Sequence, residues 1–205
     1  MIAWTINHAL KSKMIDEVIV STDDEEIAEV ARQWGAKIPF IRPSLLASDK
    51  ALRNDVIKHA IGKVTGYDIL ILLQPTSPLR NDNHIDEALT LFIETNSKAC
   101  VSITKQHPTP HWIYRLSDKK HLINVFDKPT SSNRQDEEIF YKLNGAIYII
   151  KTKEFLNSND SDPLINNETI SYEMDELYSF DIDSITDLSI VECLIKDLLK
   201  NEISN

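Results

Sequence analysis

Glycine is scarce in this 205-residue sequence, which contains only four. That scarcity excludes a glycine-rich loop of the kind that wraps phosphate groups with backbone N–H donors. The two cysteines, Cys100 and Cys193, lie far apart in apolar surroundings, so we expect reduced thiols in the core and no disulfide framework. No apolar run approaches membrane-spanning length, and no charged and apolar leader opens the chain. These absences favour a soluble cytoplasmic protein.

Positive charge is also in short supply, because 22 basic side chains face 32 acidic ones and the net charge is −10. Nucleic acid is therefore a disfavoured partner, since a phosphate backbone binds clustered Lys and Arg. A single nucleotide stays open, because local basic groups and a metal ion can offset the overall field. Apolar residues make up 42% of the chain, which is enough to fill the core of one ordinary domain over residues 1–205.

Strand patterns alternate with helical periodicity along most of the chain. Ile2, Ile6 and Leu10, for example, follow the four-residue spacing of an amphipathic helix. The alternation predicts an α/β fold with a parallel, doubly wound sheet. The expected strands cover residues 17–21, 36–41, 69–73, 99–104, 145–150, 169–175 and 177–181, and the expected helices cover residues 2–12, 25–34, 53–64, 81–96 and 186–199.

Residues 106–140 interrupt this rhythm. Proline-rich and polar stretches flank W-I-Y-R-L, and the whole segment is longer than an ordinary loop. We expect irregular and β-rich structure here, in an excursion that dimerises or covers a site.

The stretch D-I-L-I-L-L-Q-P-T-S-P-L-R, residues 68–80, changes character in its middle. Its five apolar residues predict a short strand buried on both faces. Gln74 follows at the strand end, two prolines stiffen the next turn, and Arg80 offers a charged fork. Ligands of open α/β sheets bind beyond the carboxyl ends of strands, so this turn is a candidate site. A proline-rich connector into the next helix is the alternative.

The segment F-D-I-D, residues 180–183, is a candidate metal site. In an extended strand the side chains of Asp181 and Asp183 share a face, about 6–7 Å apart. Two carboxylates on one face repel unless a cation lies between them, and a few hard oxygen ligands suit Mg²⁺. The alternative is a solvated strand end before a helix, with Asp183 in the helix N-cap.

Together these motifs resemble those of the CMP-sialic acid synthetases, also called acylneuraminate cytidylyltransferases. L-Q-P-T-S-P-L-R and the D-x-D pair are similar to signatures of that family, and the resemblance extends from residue 1 to about residue 195. It implies a three-layer, doubly wound and mostly parallel fold of the nucleotide-diphospho-sugar transferase type. Four further segments match in the right order: V-I-V-S-T-D-D at 18–24, I-R-P-S-L-L-A-S-D at 41–49, N-R-Q-D at 133–136 and L-N-G-A-I-Y-I at 143–149.

The implied reaction joins CTP to a nine-carbon α-keto acid sugar and releases pyrophosphate. The resemblance implies that Asp181 and Asp183 hold Mg²⁺ on the CTP phosphates, that Gln74 holds the sugar, and that Arg134 grips the sugar carboxylate. No general base is identifiable: Asp181 is the nearest candidate, but a metal-bound carboxylate accepts protons poorly.

The resemblance also implies a nucleotide side of the cleft. Ser21 would lie near the cytosine or ribose, while Arg42 and Asp49 would line the cleft. Asn144 would help to set the cytidine or phosphate geometry. For Ser21 the alternative role of its segment is helix capping by Thr22 or Asp23. The family also implies a homodimer in which the 106–140 excursion reaches the partner's site.

One family feature is missing from this sequence. The family begins with a strand and a loop rich in glycine and lysine, roughly 20 residues by typical element sizes, whereas this sequence begins where the family's first helix does. We therefore expect the first central strand to be missing, with a gap beside residues 17–21 and 69–73. A misassigned start, a natural truncation and a strand supplied by another chain are the three explanations, and the first two are favoured because the other motifs are intact.

Two other functions compete with this interpretation. One is a related cytidylyltransferase for an eight-carbon keto acid, although that sister group carries a Gly-Asp pair after the glutamine. The other is a catalytically inactive remnant that binds a sugar acid or dimerises. The sequence does not distinguish neuraminic, legionaminic and pseudaminic acids as substrates.

Overall fold

The computed structural model describes residues 1–126 and 138–203 of the chain. The five expected helices are present within a few residues of their predicted bounds, and a short helix at Thr152–Asn157 was not expected. The helices are α1 (Ile2–Lys11), α2 (Glu25–Gln33), α3 (Arg53–Lys63), α4 (Asp82–Glu94), α5 (Thr152–Asn157) and α6 (Ile185–Ile203), and the strands are β1 (Ile69–Leu72), β2 (Ala99–Lys105), β3 (Tyr114–Leu116), β4 (Leu122–Asn124), β5 (Tyr141–Lys151) and β6 (Ile170–Glu173).

Four strands form the main sheet in the order β1-β5-β2-β6. β5 is antiparallel to both of its neighbours, and β2 is parallel to β6. Three of the four strands therefore point in one direction, which confirms a mostly parallel α/β sheet. The reversed strand, β5, was not expected from the sequence.

Alternating side chains of the sheet pack against helices on both faces, which gives the three layers. One face packs against α4, and its core includes Phe92, Ile147 and Ile149. The other face packs against α3 and α5, and its core includes Tyr148 and Phe155. The period-two alternation of β5 thus supplies both cores from a single strand.

The segments 17–21 and 36–41 lie beside each other but outside the main sheet. A parallel bridge joins Ile19 to Lys37, and backbone N–H groups of Val20 and Lys37 donate across it. Their apolar side chains form a third core with α1 and α2. The expected strands are therefore extended segments that share a single bridge.

A cleft of about 740 Å³ separates residues 17–21 from β1. Apolar side chains of α1, α3 and β1 line most of it. In the described parts of the chain, no backbone hydrogen bond joins 17–21 to β1, and β1 pairs only with β5. The gap expected beside these two segments is present.

Some sequence predictions near the end of the chain were wrong. A 3₁₀ turn occupies Glu176–Tyr178 where a strand was expected, and residues 179–183 have no regular secondary structure. Ser184 and Asp187 exchange hydrogen bonds at the start of α6, so capping does not fall to Asp183. Both cysteines are free, but only Cys100 is buried, whereas Cys193 is exposed.

The described part of the 106–140 excursion contains a small antiparallel sheet of β3 and β4. This agrees with the expected β-rich structure. Among the described residues, none of the helices is both long and apolar enough to cross a membrane.

Helix α4 begins directly after the turn that follows β1, and a capping box fixes its start. The Asn81 side chain accepts from the His84 backbone N–H, while His84 Nδ1 accepts from the Asn81 backbone N–H. Burial lowers the pKa of His84 below its ordinary 6.5. The folded state therefore prefers the neutral imidazole, because a protonated ring is desolvated and can no longer accept this bond.

We predict that His84→Gln makes folding less sensitive to acid. A histidine whose pKa is depressed on folding contributes stability above the unfolded value and loses it as the pH falls below about 6.5. Glutamine can keep the capping bond without titrating. Urea unfolding at pH about 7.5 and about 5.5 should show a smaller loss of stability in the variant than in the wild type. Equal losses in the two proteins would contradict the prediction.

Candidate functional site

The N-G pair of β5 forms a bulge where the strand leaves its regular pairing with β2. The register passes from Val101 opposite Tyr148 to Ile103 opposite Leu143, so residues 144–147 face Ser102 alone. Gly145 takes a positive φ of 75° within this bulge. A positive φ favours glycine, and bulges of this kind often redirect side chains next to active sites.

Gly145 is the point at which two of the predicted site residues meet. A Cβ atom at this position would lie 2.7 Å from Gln74 Oε1 and 3.4 Å from Asp181 Oδ2. It would also lie 3.7 Å from Ser77 Oγ. The turn after β1, the bulge of β5 and the D-x-D segment therefore converge on a residue that has no side chain.

A backbone bond joins the first and last of these segments directly. The Ile182 N–H donates to the Thr76 carbonyl at 2.9 Å. This bond places the D-x-D segment against the P-T-S-P turn, although more than a hundred positions separate them in the sequence. The convergence therefore has a defined backbone geometry.

The side chain of Asn144 is occupied inside the protein. Its Oδ1 accepts from Ser102 Oγ at 2.5 Å and from the Ala146 N–H at 3.2 Å. Its Nδ2 donates to Ser179 Oγ at 2.9 Å and contacts Met174 Sδ. The structure thus gives Asn144 a role in joining β2, β5 and the segment before the D-x-D pair, and its predicted contact with a nucleotide stays a prediction.

Arg80 lies in the interior and not on the ligand-facing side of its turn. The side chain is 0% exposed, and its Nη1 donates to the carbonyls of Ala146 and Gln74 at 2.9 and 3.3 Å. Burial lowers the pKa of Arg80 to about 10, so the group stays charged at neutral pH. The sequence presented Arg80 as a possible ligand group, and the structure corrects that interpretation.

Ser21 and Arg42 line the cleft beside β1, together with Gln74. The Ser21 hydroxyl and the Arg42 Nε are buried and have no hydrogen-bond partner within the described residues. Arg42 Nη2 lies 3.8 Å from Asp23 Oδ1. The helix that follows Ser21 is capped by Asp24, whose side chain accepts from two backbone N–H groups, so neither Thr22 nor Asp23 takes that role.

The remaining nucleotide-side prediction, Asp49, is exposed and is not among the residues lining this cleft. Arg134 lies outside the described residues, so its role stays a prediction.

The D-x-D pair offers oxygen atoms in two different environments. Asp181 is half-buried, and its Oδ1 is a buried atom without a hydrogen-bond partner in the described chain. Asp183 is exposed. No cluster of three or more acidic, His or Cys side chains suitable for a metal occurs among the described residues. Two carboxylates are too few to complete a coordination sphere, so any cation held here would fill its remaining positions from water and substrate.

Sequence reasoning missed the buried frame around these residues. Ser102, Ser179 and the interior position of Arg80 were not anticipated. The N-G pair within a strand pattern was the available signal, since glycine in such a pattern often marks a bulge.

The chain is similar in sequence to known proteins. A family model described as Cytidylyltransferase matches residues 1–199. An N-acylneuraminate cytidylyltransferase of Escherichia coli is 35% identical over 190 residues, covering 93% of this chain and 44% of that protein. The chain thus spans less than half of that relative's length. A pseudaminic acid cytidylyltransferase of Campylobacter jejuni is 32% identical over 201 residues, covering 96% of this chain and 85% of that protein.

Among solved structures, a CMP:2-keto-3-deoxy-manno-octonic acid synthetase complexed with CTP matches with a TM-score of 0.69. Sequence identity is 15%, and the match covers 95% of this chain and 86% of that one. At this identity the likeness concerns the fold.

We predict that Gly145→Ala destabilises the protein, because the positive φ disfavours alanine and the added Cβ would displace the end of the Gln74 side chain. We expect a loss of about 1–3 kcal/mol in the free energy of unfolding, measured by chemical denaturation. Gly62→Ala is the matched control: its Cβ would meet nothing within 4 Å, and it lies in α3, so a gain of up to about 1 kcal/mol is expected. Unchanged stability in Gly145→Ala would contradict the proposed contact.

Proposed function

Because this chain belongs to the cytidylyltransferase family that includes the CMP-sialic acid synthetases, we propose that it joins CTP to a nonulosonic acid. The anomeric hydroxyl of the sugar attacks the α-phosphorus of CTP, the bond to the β-phosphate oxygen breaks, and CMP-sugar and pyrophosphate form. The observation that carries this proposal is the convergence of Gln74 and Asp181 on Gly145, next to a cleft lined by Ser21 and Arg42.

The choice of a nonulosonic acid rests on the relatives. Their names specify N-acylneuraminate and pseudaminic acid as substrates. The likeness to an eight-carbon synthetase concerns the fold and does not favour that substrate.

Each side chain has a distinct part in the proposed mechanism. Gln74 would orient the sugar hydroxyl through its amide, and Ser21 and Arg42 would bind the nucleotide with hydrogen bonds and positive charge. Arg134 would hold the sugar carboxylate in a bidentate pair. These contacts place the attacking oxygen and the phosphorus within reach of each other.

We propose Mg²⁺ as the cofactor, held by Asp181 and Asp183. The buried, unpartnered Oδ1 of Asp181 supports this assignment, because an ionised carboxylate oxygen in that position favours a cation. When bound, the metal supplies neutralisation of charge at the CTP phosphates.

Pyrophosphate release tests the proposal directly. The 205-residue chain is mixed with CTP and Mg²⁺ and with N-acetylneuraminic, legionaminic or pseudaminic acid in turn. We expect turnover with one of the three sugars and a loss of about 10²–10³-fold in Asp181→Asn, the usual order of magnitude for removing a charge-stabilising group. Asp197→Asn, an exposed change on α6, is the control and should match the wild type.

Two outcomes would overturn this function. Turnover that survives unchanged in Asp181→Asn would remove the aspartate from the mechanism. Silence with all three sugars, together with no CTP binding in calorimetry, would favour the non-catalytic alternative, a module that binds a sugar acid or dimerises.

We also propose that the chain acts as a homodimer through β3 and β4. Apolar side chains stand exposed there, with Leu116 65% and Leu122 69% exposed, and Ile123 and Phe126 add to the surface. Leu116 lies opposite Leu122 in the ladder, so these two leucines share a face, and exposed apolar side chains that gather in this way are typical of protein–protein contacts. A cytoplasmic location is part of the same proposal.

Sedimentation equilibrium at micromolar concentration should therefore give the mass of a dimer. The double change Leu116→Ser and Leu122→Ser should shift the protein to monomer, because it removes apolar contact area from the interface. Leu45→Ser, at a leucine outside β3 and β4 that is even more exposed, should leave the dimer intact. A monomeric wild type would contradict the proposal.

A further inference from the structure

Arg80 occupies the place where the β1–β5 ladder stops. The register pairs Leu72 with Tyr148, and its continuation would bring Gln74 opposite Ala146. At that place the strands are joined by a side chain, since Arg80 Nη1 donates to the carbonyls of both residues. The guanidinium thus joins the two chain segments just beyond the last backbone pair of the β1–β5 ladder.

The same clamp fixes the residue that faces the reacting centre. Gln74 Oε1 approaches the Gly145 backbone closely, and the Ser77 N–H donates to the Gln74 carbonyl at 3.3 Å. A shift of that carbonyl would displace the whole Gln74 residue relative to Asp181. Arg80 is therefore coupled to the site through a single intervening residue.

An ion pair does not account for the buried position of Arg80. No salt bridge involves it among the described residues, and its Nε and Nη2 have no hydrogen-bond partners there. A buried cation without an acidic partner is unfavourable for stability, since burial removes its hydration. Its two carbonyl contacts are thus the main interaction that its position provides.

We propose that Arg80 is a positioning residue that sets Gln74 for the sugar substrate without touching it. This inference rests on the proposed function, because Gln74 is there assigned to the sugar. The cleft lining that includes Ser21 and Arg42 does not include Arg80. Loss of Arg80 should therefore impair use of the sugar and spare the binding of CTP.

Steady-state kinetics of Arg80→Met and Arg80→Lys provide the first test. In Arg80→Met we expect kcat/KM for the sugar to fall about 10- to 100-fold, as for small displacements of a reacting group, with CTP affinity within about twofold. Arg80→Lys should recover part of the loss, because an ammonium group can still donate to both carbonyls. Arg32→Met, at an exposed pair with Glu29, is the control.

A double mutant separates positioning from a general structural effect. If Arg80 acts through Gln74, then adding Arg80→Met to Gln74→Ala should cost little beyond Gln74→Ala alone. Losses that multiply fully would overturn the proposal. So would an Arg80→Met protein whose sugar kinetics lie within about twofold of the wild type.

Hydrogen exchange gives a readout that does not depend on turnover. In Arg80→Met the amides of Ser77 and Ile182, which close the turn, should lose protection at least about tenfold, while those of α2 keep it. If the wild type shows neither turnover nor CTP binding, the proposed function fails, and this measurement still tests whether Arg80 holds the turn that carries Gln74. Unchanged protection at Ser77 and Ile182 would overturn it.

Discussion

The site depends on the close approach of Gln74 to the backbone of Gly145. Because residue 145 has no side chain, the turn after β1 and the D-x-D segment can both reach the bulge of β5, and Asp181 and Gln74 come within 3.4 Å of one point. A single methyl group there would lie too close to Gln74. The positive φ of Gly145 has the same origin as this contact, since both follow from a strand that leaves its ladder at this residue.

A bulge in the middle of a sheet leaves backbone groups without ladder partners. Buried backbone groups then need other hydrogen-bond partners. On the β2 side of β5, the Ser102 hydroxyl accepts from the Ile147 N–H at 2.8 Å. On the β1 side, beyond the end of the ladder, Arg80 donates to the Ala146 carbonyl. Asn144 then extends this frame to Ser179, two residues before Asp181. Polar side chains in the interior thus fix the backbone geometry at the bulge. Apolar packing could not specify this geometry, because apolar contacts have no direction.

These buried polar side chains also show which features could be predicted from the sequence and which could not. The apolar run of β1 and the helical periodicity of α1 are local features, so their patterns located these elements well. Gln74 and Asp181 were predicted as site residues from their motifs, and the structure brings both close to Gly145. The reversal of β5 and the interior place of Arg80 depend instead on partners distant in the sequence: Arg80 and Ala146, for instance, are 66 positions apart. A charged residue after a proline-rich turn suggests a surface role, and only the sheet around it reveals otherwise.

The effect of the chain's excess of acidic residues depends on the distance over which a ligand senses charge. A net charge of −10 weakens attraction of an extended polyanion, which contacts many parts of a surface at once. A small anion responds mainly to groups within about 8 Å, the screening length at physiological salt. The lining of the cleft beside β1 includes Arg42, whose Nε is buried and unpartnered within the described chain, but it also includes the carboxylates of Asp16, Glu17 and Asp68. Under the proposed function, the nucleotide phosphates would therefore rely on Arg42 and on a bound cation to offset these nearby carboxylates.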